Sequence, residues 1–97
     1  MAKSLHDRIA ENLAKKHKVS YKSDEGADIV TRDRVIEVET KKESLDQGMG
    51  QVARSFKARY LAVPDSIRKA ALEITTGTGI GVMTKTGRIA KKASRGR

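Results

Sequence analysis

The chain has no cysteine, no tryptophan, a single proline and three aromatic residues among its 97. Without cysteine there is neither a disulfide framework nor a thiolate metal site, which fits an intracellular, cytoplasmic protein. With so few aromatics the core must be aliphatic, and a hydrophobic fraction of 37% allows a modest one. No apolar run approaches the roughly 20 residues that span a bilayer. The charged N-terminal stretch lacks the apolar segment of a signal peptide, so no membrane partner is expected. The length suits one small domain over residues 1–97.

Acids are also in short supply, 12 against 21 lysines and arginines, for a net charge of +9. A surface of that sign attracts polyanions, nucleic acid first among them. In a phosphate-binding protein each carboxylate repels the ligand unless a metal ion or a proton intervenes. The position of the acids therefore carries more information than the basic excess.

"SLHDRIAENLAKKHK" (4–18) predicts a helix: Leu5, Ile9 and Leu13 recur every four residues, and Ala10 and Ala14 widen the stripe. "VSYK" (19–22) alternates and suits a short strand, and "SDEGAD" (23–28) is a turn cluster. "DIVT" (28–31) and "RVIEVETK" (34–41) are β-branched and separated by Arg32 and Asp33, which predicts a hairpin. In "SLDQGMGQVARSFKA" (44–58), Ser44 and Gln47 match a capping box, and Leu45, Met49, Val52, Ala53 and Phe56 form an apolar stripe, of which Leu45, Met49, Val52 and Phe56 are assigned to the core. Gly48 and Gly50 each weaken that helix by roughly 1 kcal/mol relative to alanine, so either a close approach of another backbone or mobile first turns is expected there. "YLAVP" reads as a buried strand, and Pro64 and Asp65 open the helix "DSIRKAALEI". "GIGVMT", the turn "KTG" and "RIA" close the fold as a hairpin or final strand, and 91–97 form a basic, flexible tail. The order is α-β-β-β-α-β-α-β, with a mixed sheet because a hairpin precedes a crossover helix.

Within "RVIEVETK", Glu37, Glu39 and Lys41 share one face of a strand while Ile36, Val38 and Thr40 take the other. If Arg32 and Asp33 form the loop, paired positions sum to 65, which places Asp28 opposite Glu37 and diagonal to Glu39. Three clustered carboxylates repel one another, and either one is protonated or a divalent cation is bound. Carboxylate oxygens suit Mg²⁺ or Mn²⁺, completed by water and substrate phosphate. Lys41 beside such a site can orient a nucleophile or stabilise developing negative charge. Acids in a basic protein then make sense as a metal-dependent phosphodiesterase site.

Asp28, ten intervening residues and Glu39-Thr40-Lys41 resemble the PD-(D/E)XK nuclease signature, in particular that of archaeal Holliday junction resolvases and Mrr-like restriction endonucleases. The resemblance covers roughly residues 3 to 63 at the level of pattern; Ala27 stands where the proline of the motif would be. It implies a restriction-endonuclease-like α/β fold, with an αβββαβ core whose central mixed sheet is flanked by helices. It also implies a Mg²⁺-dependent deoxyribonuclease that hydrolyses DNA phosphodiester bonds, branched or junction DNA being among the candidate substrates. Asp28 and Glu39 would hold the metal with the backbone carbonyl of Thr40, and Lys41 would serve the attacking water. The family often adds an acid from the first helix; Asp7 is a better match than Glu11.

The resemblance further suggests a glutamine on the helix after the E-x-K. Gln47 and Gln51 lie opposite the apolar stripe and are assigned to DNA contact, with Arg54, Lys85, Arg88, Lys91 and Lys92 as phosphate contacts. A homodimer is expected, since so small a chain covers little DNA and cutting two strands takes two sites. His6 and His17 are read as packing residues, and the glycines at 77, 79 and 81 lack the spacing and context of a phosphate loop. Two other functions compete: a non-catalytic DNA-binding module on the same fold, and a basic RNA-binding protein. The intact Asp28, Glu39 and Lys41 set disfavours the first, and the lack of an RNP-type aromatic pair on any strand disfavours the second.

Overall fold

The computed structural model describes residues 4–19, 21 and 27–94. Its pairing starts at the turn Thr31–Arg34. That turn has no glycine or asparagine, but the Thr31 hydroxyl accepts the amides of Asp33 (3.3 Å) and Arg34 (3.0 Å) and donates to the Asp33 carboxylate (3.2 Å). This local hydroxyl turn does the work an Asn-Gly pair does elsewhere. It joins β1 (Ile29–Val30) to β2 (Arg34–Val38), with Ile29 opposite Ile36 and Val30 opposite Val35. Both pairs sum to 65, the register expected from the sequence.

The remaining elements are α1 (Leu5–Lys16), a 3-10 turn at Lys42–Ser44, α2 (Leu45–Val52), β3 (Ala58–Val63), α3 (Asp65–Ile74), β4 (Gly81–Thr84) and β5 (Ile89–Lys91). The five strands lie in chain order in one mixed sheet: β2, β3 and β4 run parallel, and β1 and β5 are antiparallel at the two edges. The described residues thus form a compact α/β domain with a five-stranded mixed sheet and three α-helices. Residue alternation along each strand fixes the layers. Ile29, Ile36, Val38, Tyr60, Ala62 and Met83 face α1 through Ile9, Ala10, Leu13 and Ala14. Val35, Leu61, Val63 and Val82 face α2 and α3 through Leu45, Val52 and Ala71. Both crossover helices lie on one face, as successive right-handed crossovers in one direction require.

Three expectations need correction. The strand expected at 19–22 lies partly outside the described residues, and Val19 and Tyr21 belong to no strand. The second helix stops at Val52 and does not reach 58, so Phe56 is fully exposed at 107% and Ala53 is also at the surface. After Val52 the chain turns tightly, with the Ser55 amide on the Val52 carbonyl and the Ala58 amide on the Asp33 carbonyl, to start β3 beside β2. Finally, the capping box does not form. Ser44 closes the 3-10 turn, and its hydroxyl points back to the Lys41 carbonyl at 2.9 Å.

Candidate metal and phosphate site

The ladder between β1 and β2 ends at Ile29, and side chains continue the pairing beyond it. The Asp28 amide donates to Glu37 Oε1 at 3.0 Å, and the Val38 amide donates to Asp28 Oδ2 at 2.9 Å. Each carboxylate thus replaces a missing backbone partner. Glu37 and Glu39 leave β2 on the face under α2, opposite Ile36 and Val38, and the Glu39 amide is anchored to the Ala62 carbonyl at 3.1 Å. All three acids are buried, at 6% exposure for Asp28 and 8% each for Glu37 and Glu39. The charged face of β2 is therefore covered, which the sequence did not reveal.

Glu39 is buried because α2 has a gap for it. A β-carbon on Gly48 would lie 2.6 Å from Glu39 Cγ and 2.8 Å from Oε2, so only glycine lets this helix pass over the carboxylate. Gly50 has no neighbour within 4 Å of such a carbon. Of the two accounts the sequence offered for these glycines, close approach holds at Gly48, but what approaches is a side chain.

The electrostatics follow from burial. Desolvation pushes the Glu37 carboxyl up to about 8, helped by the Asp28 charge, the Glu39 charge and a hydrogen bond to Glu39, and opposed by the Asp28 amide. Asp28 is raised as well, by burial, against the pull of the Val38 amide and of His6. Burial and mutual repulsion thus both favour the protonated form of Glu37 and of Asp28.

His6, on α1, extends the cluster. Its Nε2 lies 3.1 Å from Asp28 Oδ2, and its Nδ1 lies 3.2 Å from the Tyr21 hydroxyl and 3.6 Å from Asp7 Oδ1. The Tyr21 hydroxyl donates to Asp7 Oδ1 at 3.0 Å; this bond lowers the Asp7 pKa, while burial and then Asp7 raise that of Tyr21. Asp7 thus reaches Asp28 through His6. Glu11 is exposed one turn further along α1.

Asp28 and Glu39, taken from the sequence, are brought into one cluster. Thr40 is half-buried beyond the strand end, and Lys41 is exposed with an extended backbone, its own carbonyl turned to Ser44. His6, Tyr21 and Gly48 were missing from the predicted site, and Glu37, expected in the carboxylate patch, had been given no role in it. The sequence signals were a histidine beside the helix stripe and a glycine inside one. Among the described residues no set of three His, Asp or Glu side chains stands at metal-ligand spacing. Mg²⁺ does not require one, since it is commonly held by one or two carboxylates with water and phosphate completing the shell. Asp28, Glu39 and the Thr40 carbonyl have the donor chemistry for that mode.

Gln47, Gln51 and Arg54 are exposed on and just after α2. Lys85 and Arg88 are exposed in the β4–β5 turn and line a groove of about 320 Å³ with Asp65, Arg68, Thr84 and Thr86. This groove lies at the carboxyl ends of the parallel strands, as Glu39 does, the end at which open α/β sheets commonly bind ligands. Lys91 must be corrected. It is the last residue of β5, not the start of a tail, and its ammonium donates to the carbonyls of Thr75 (2.7 Å), Ile80 (2.8 Å) and Thr78 (3.3 Å). It closes the end of α3 and is not free for phosphate. Lys92 is exposed; Arg95 and Arg97 lie outside the described residues. Among the described residues no helix is long and apolar enough to cross a membrane. No family model, curated protein or solved structure matches this chain.

Proposed function

We propose that the protein is a metal-dependent endonuclease of the PD-(D/E)XK type, hydrolysing DNA phosphodiester bonds and working as a homodimer. The observation that supports this most is the buried Asp28, Glu37 and Glu39 cluster, with Gly48 kept clear for Glu39 at the carboxyl ends of the parallel strands. Buried like charges that must hold a proton are costly to a small domain, and a cation site is the simplest reason to keep them. Asp28, Glu39 and the Thr40 carbonyl would hold Mg²⁺ or Mn²⁺, which supplies charge neutralisation at the phosphoryl group and acidifies water. Glu37 holds the Asp28 backbone in place, and His6 and the Val38 amide fix the Asp28 carboxylate. Lys41, exposed at the strand end, orients the attacking water or meets the developing charge. Lys85 and Arg88 contact the backbone phosphates.

One observation favours a second reading, a DNA-binding module without turnover: Asp28 Oδ2 is already used by two internal partners. Cleavage of a panel of labelled DNA structures, with Mg²⁺ and with EDTA, separates the two. The nuclease reading expects metal-dependent products that vanish in Asp28→Ala and Glu39→Ala while DNA binding persists. Lys41→Ala is expected to lower turnover more than metal affinity. Binding without products for any DNA structure would leave the module; products that survive both acid substitutions would move the site elsewhere.

A further inference from the structure

Phe56 is the only phenylalanine, in a chain whose core is starved of aromatics, yet it is fully exposed at 107%. A floppy loop does not explain this. The turn that carries it is fixed on every side: the Ser55 amide bonds the Val52 carbonyl (3.0 Å), the Lys57 amide bonds Ser55 Oγ (3.1 Å), and the Arg59 guanidinium bonds the Ala53 carbonyl (3.2 Å). The Lys57 ammonium donates to the Thr31 carbonyl of the neighbouring hairpin turn at 2.7 Å, and the Ala58 amide donates to the Asp33 carbonyl at 3.0 Å. The backbone that carries the ring is therefore fixed, and the ring itself projects into solvent. Exposed Arg54 lies two residues before it, and Lys57 and Arg59 follow it, so the segment from 53 to 59 carries three cations and no acid.

An exposed aromatic on a pinned backbone among cations is the recognition chemistry of a nucleobase: the ring stacks on a base face while the cations meet the backbone. An uninterrupted duplex offers no such face, because its bases are already stacked. We propose that Phe56 is a stacking platform for an unpaired base, and hence that the DNA this protein engages carries one, as a bulge or a single strand does. The placement of the cut relative to that base rests on the nuclease reading. Arg34, at the Phe56 end of β2, and Glu39 are five residues apart, or about 16 Å at roughly 3.3 Å per residue. A base stacked on Phe56 would therefore lie on the order of 16 Å from the phosphate at the carboxylate cluster.

The test is binding in EDTA, where no cleavage is needed. Wild type, Phe56→Ala, Phe56→Leu and Phe56→Trp are titrated onto a perfect duplex and onto the same duplex with a single 2-aminopurine bulge. Phe56→Ala and Phe56→Leu should bind the bulge roughly five- to a hundred-fold more weakly, with duplex affinity and salt slope unchanged. Phe56→Trp should retain bulge binding and the quenching of 2-aminopurine fluorescence. Equal losses on both DNAs, no loss on either, or a change in sedimentation from dimer to monomer that accounts for the loss would overturn the proposal; the last would make Phe56 a contact between two copies of the chain. Circular dichroism melts confirm that each variant is folded. A protein that cuts nothing yet shows the bulge-specific loss would refute the nuclease reading and leave this one standing.

Discussion

Gly48 and Gly50 stand two residues apart in the same eight-residue helix, and the structure gives them opposite responses to alanine. Alanine at either position gains about 1 kcal/mol of helix propensity. At Gly50 nothing lies within 4 Å of the new methyl, so Gly50→Ala should stabilise by close to that amount. At Gly48 the methyl would meet Glu39 Cγ at 2.6 Å, Oε2 at 2.8 Å and Cδ at 3.0 Å. Relief requires a shift of a buried carboxylate or of α2, and overpacking of this kind costs about 1–3 kcal/mol. Gly48→Ala should then be destabilising by about 0–2 kcal/mol net. The gap between the two variants is about 1–3 kcal/mol, which for a domain of this length is on the order of 10 °C in Tm. Urea and thermal melts of both variants measure it. If the nuclease reading holds, Gly48→Ala also loses Mg²⁺-dependent cleavage at unchanged DNA affinity, because Glu39 has moved. A Gly48→Ala variant as stable as Gly50→Ala would mean that Glu39 does not pack beneath α2, and the account of the site would fail.

The raised Glu37 carboxyl makes stability depend on pH in a definite direction. Its folded value is about 8 against an ordinary 4.5, so its contribution is complete below pH 4.5 and is lost as pH rises through 8. Asp28, also raised, adds in the same direction. In EDTA, Tm should therefore fall across that window, less steeply in Glu37→Gln, and Mg²⁺ should restore Tm at the alkaline end; an identical slope in Glu37→Gln contradicts the assignment. Lys91 and Lys92 are adjacent lysines with different roles. Lys91→Met should cost about 1–3 kcal/mol, because buried carbonyls lose a charged donor, and leave the salt dependence of DNA binding intact. Lys92→Met should leave stability unchanged and, where it meets a phosphate, reduce the slope of log affinity against log salt by about 0.9. The reverse pattern in denaturation and salt titrations would reject the inward placement of Lys91.

The hairpin was legible because its register depends on short-range facts. Two loop residues and a two-residue side-chain period leave one pairing, and Ile29 opposite Ile36 follows. The same period put Glu37 and Glu39 on one face and Asp28 opposite them. What it could not supply was the burial of that face. Alternating apolar and charged residues ordinarily mean one dry and one wet side, and here α2 covers the charged side as well. The clue was Gly48, a residue that weakens a helix and so needs a tertiary reason to be there. His6 was illegible for a different reason: its partner Asp28 is 22 residues away, and nothing in a helical stripe marks which strand end it will face.

The misreading of Phe56 comes from a limit that helical periodicity does not contain. Apolar residues at Leu45, Met49, Val52 and Phe56 keep helical spacing, so the pattern alone runs on to residue 58. In a βαβ unit, however, the helix must return the chain to the level at which the first strand began. β2 has five residues, Arg34–Val38, about 17 Å at a strand rise of roughly 3.3 Å. Eight residues of α2, Leu45–Val52, climb about 12 Å at 1.5 Å each, and the pinned turn covers the remainder to Ala58, which is paired with Arg34. A helix continued to 58 would climb about 21 Å and overshoot the start of β3. Strand length therefore ends the helix while its apolar stripe is still running, and the last member of the stripe, Phe56, is left outside the core it was expected to fill.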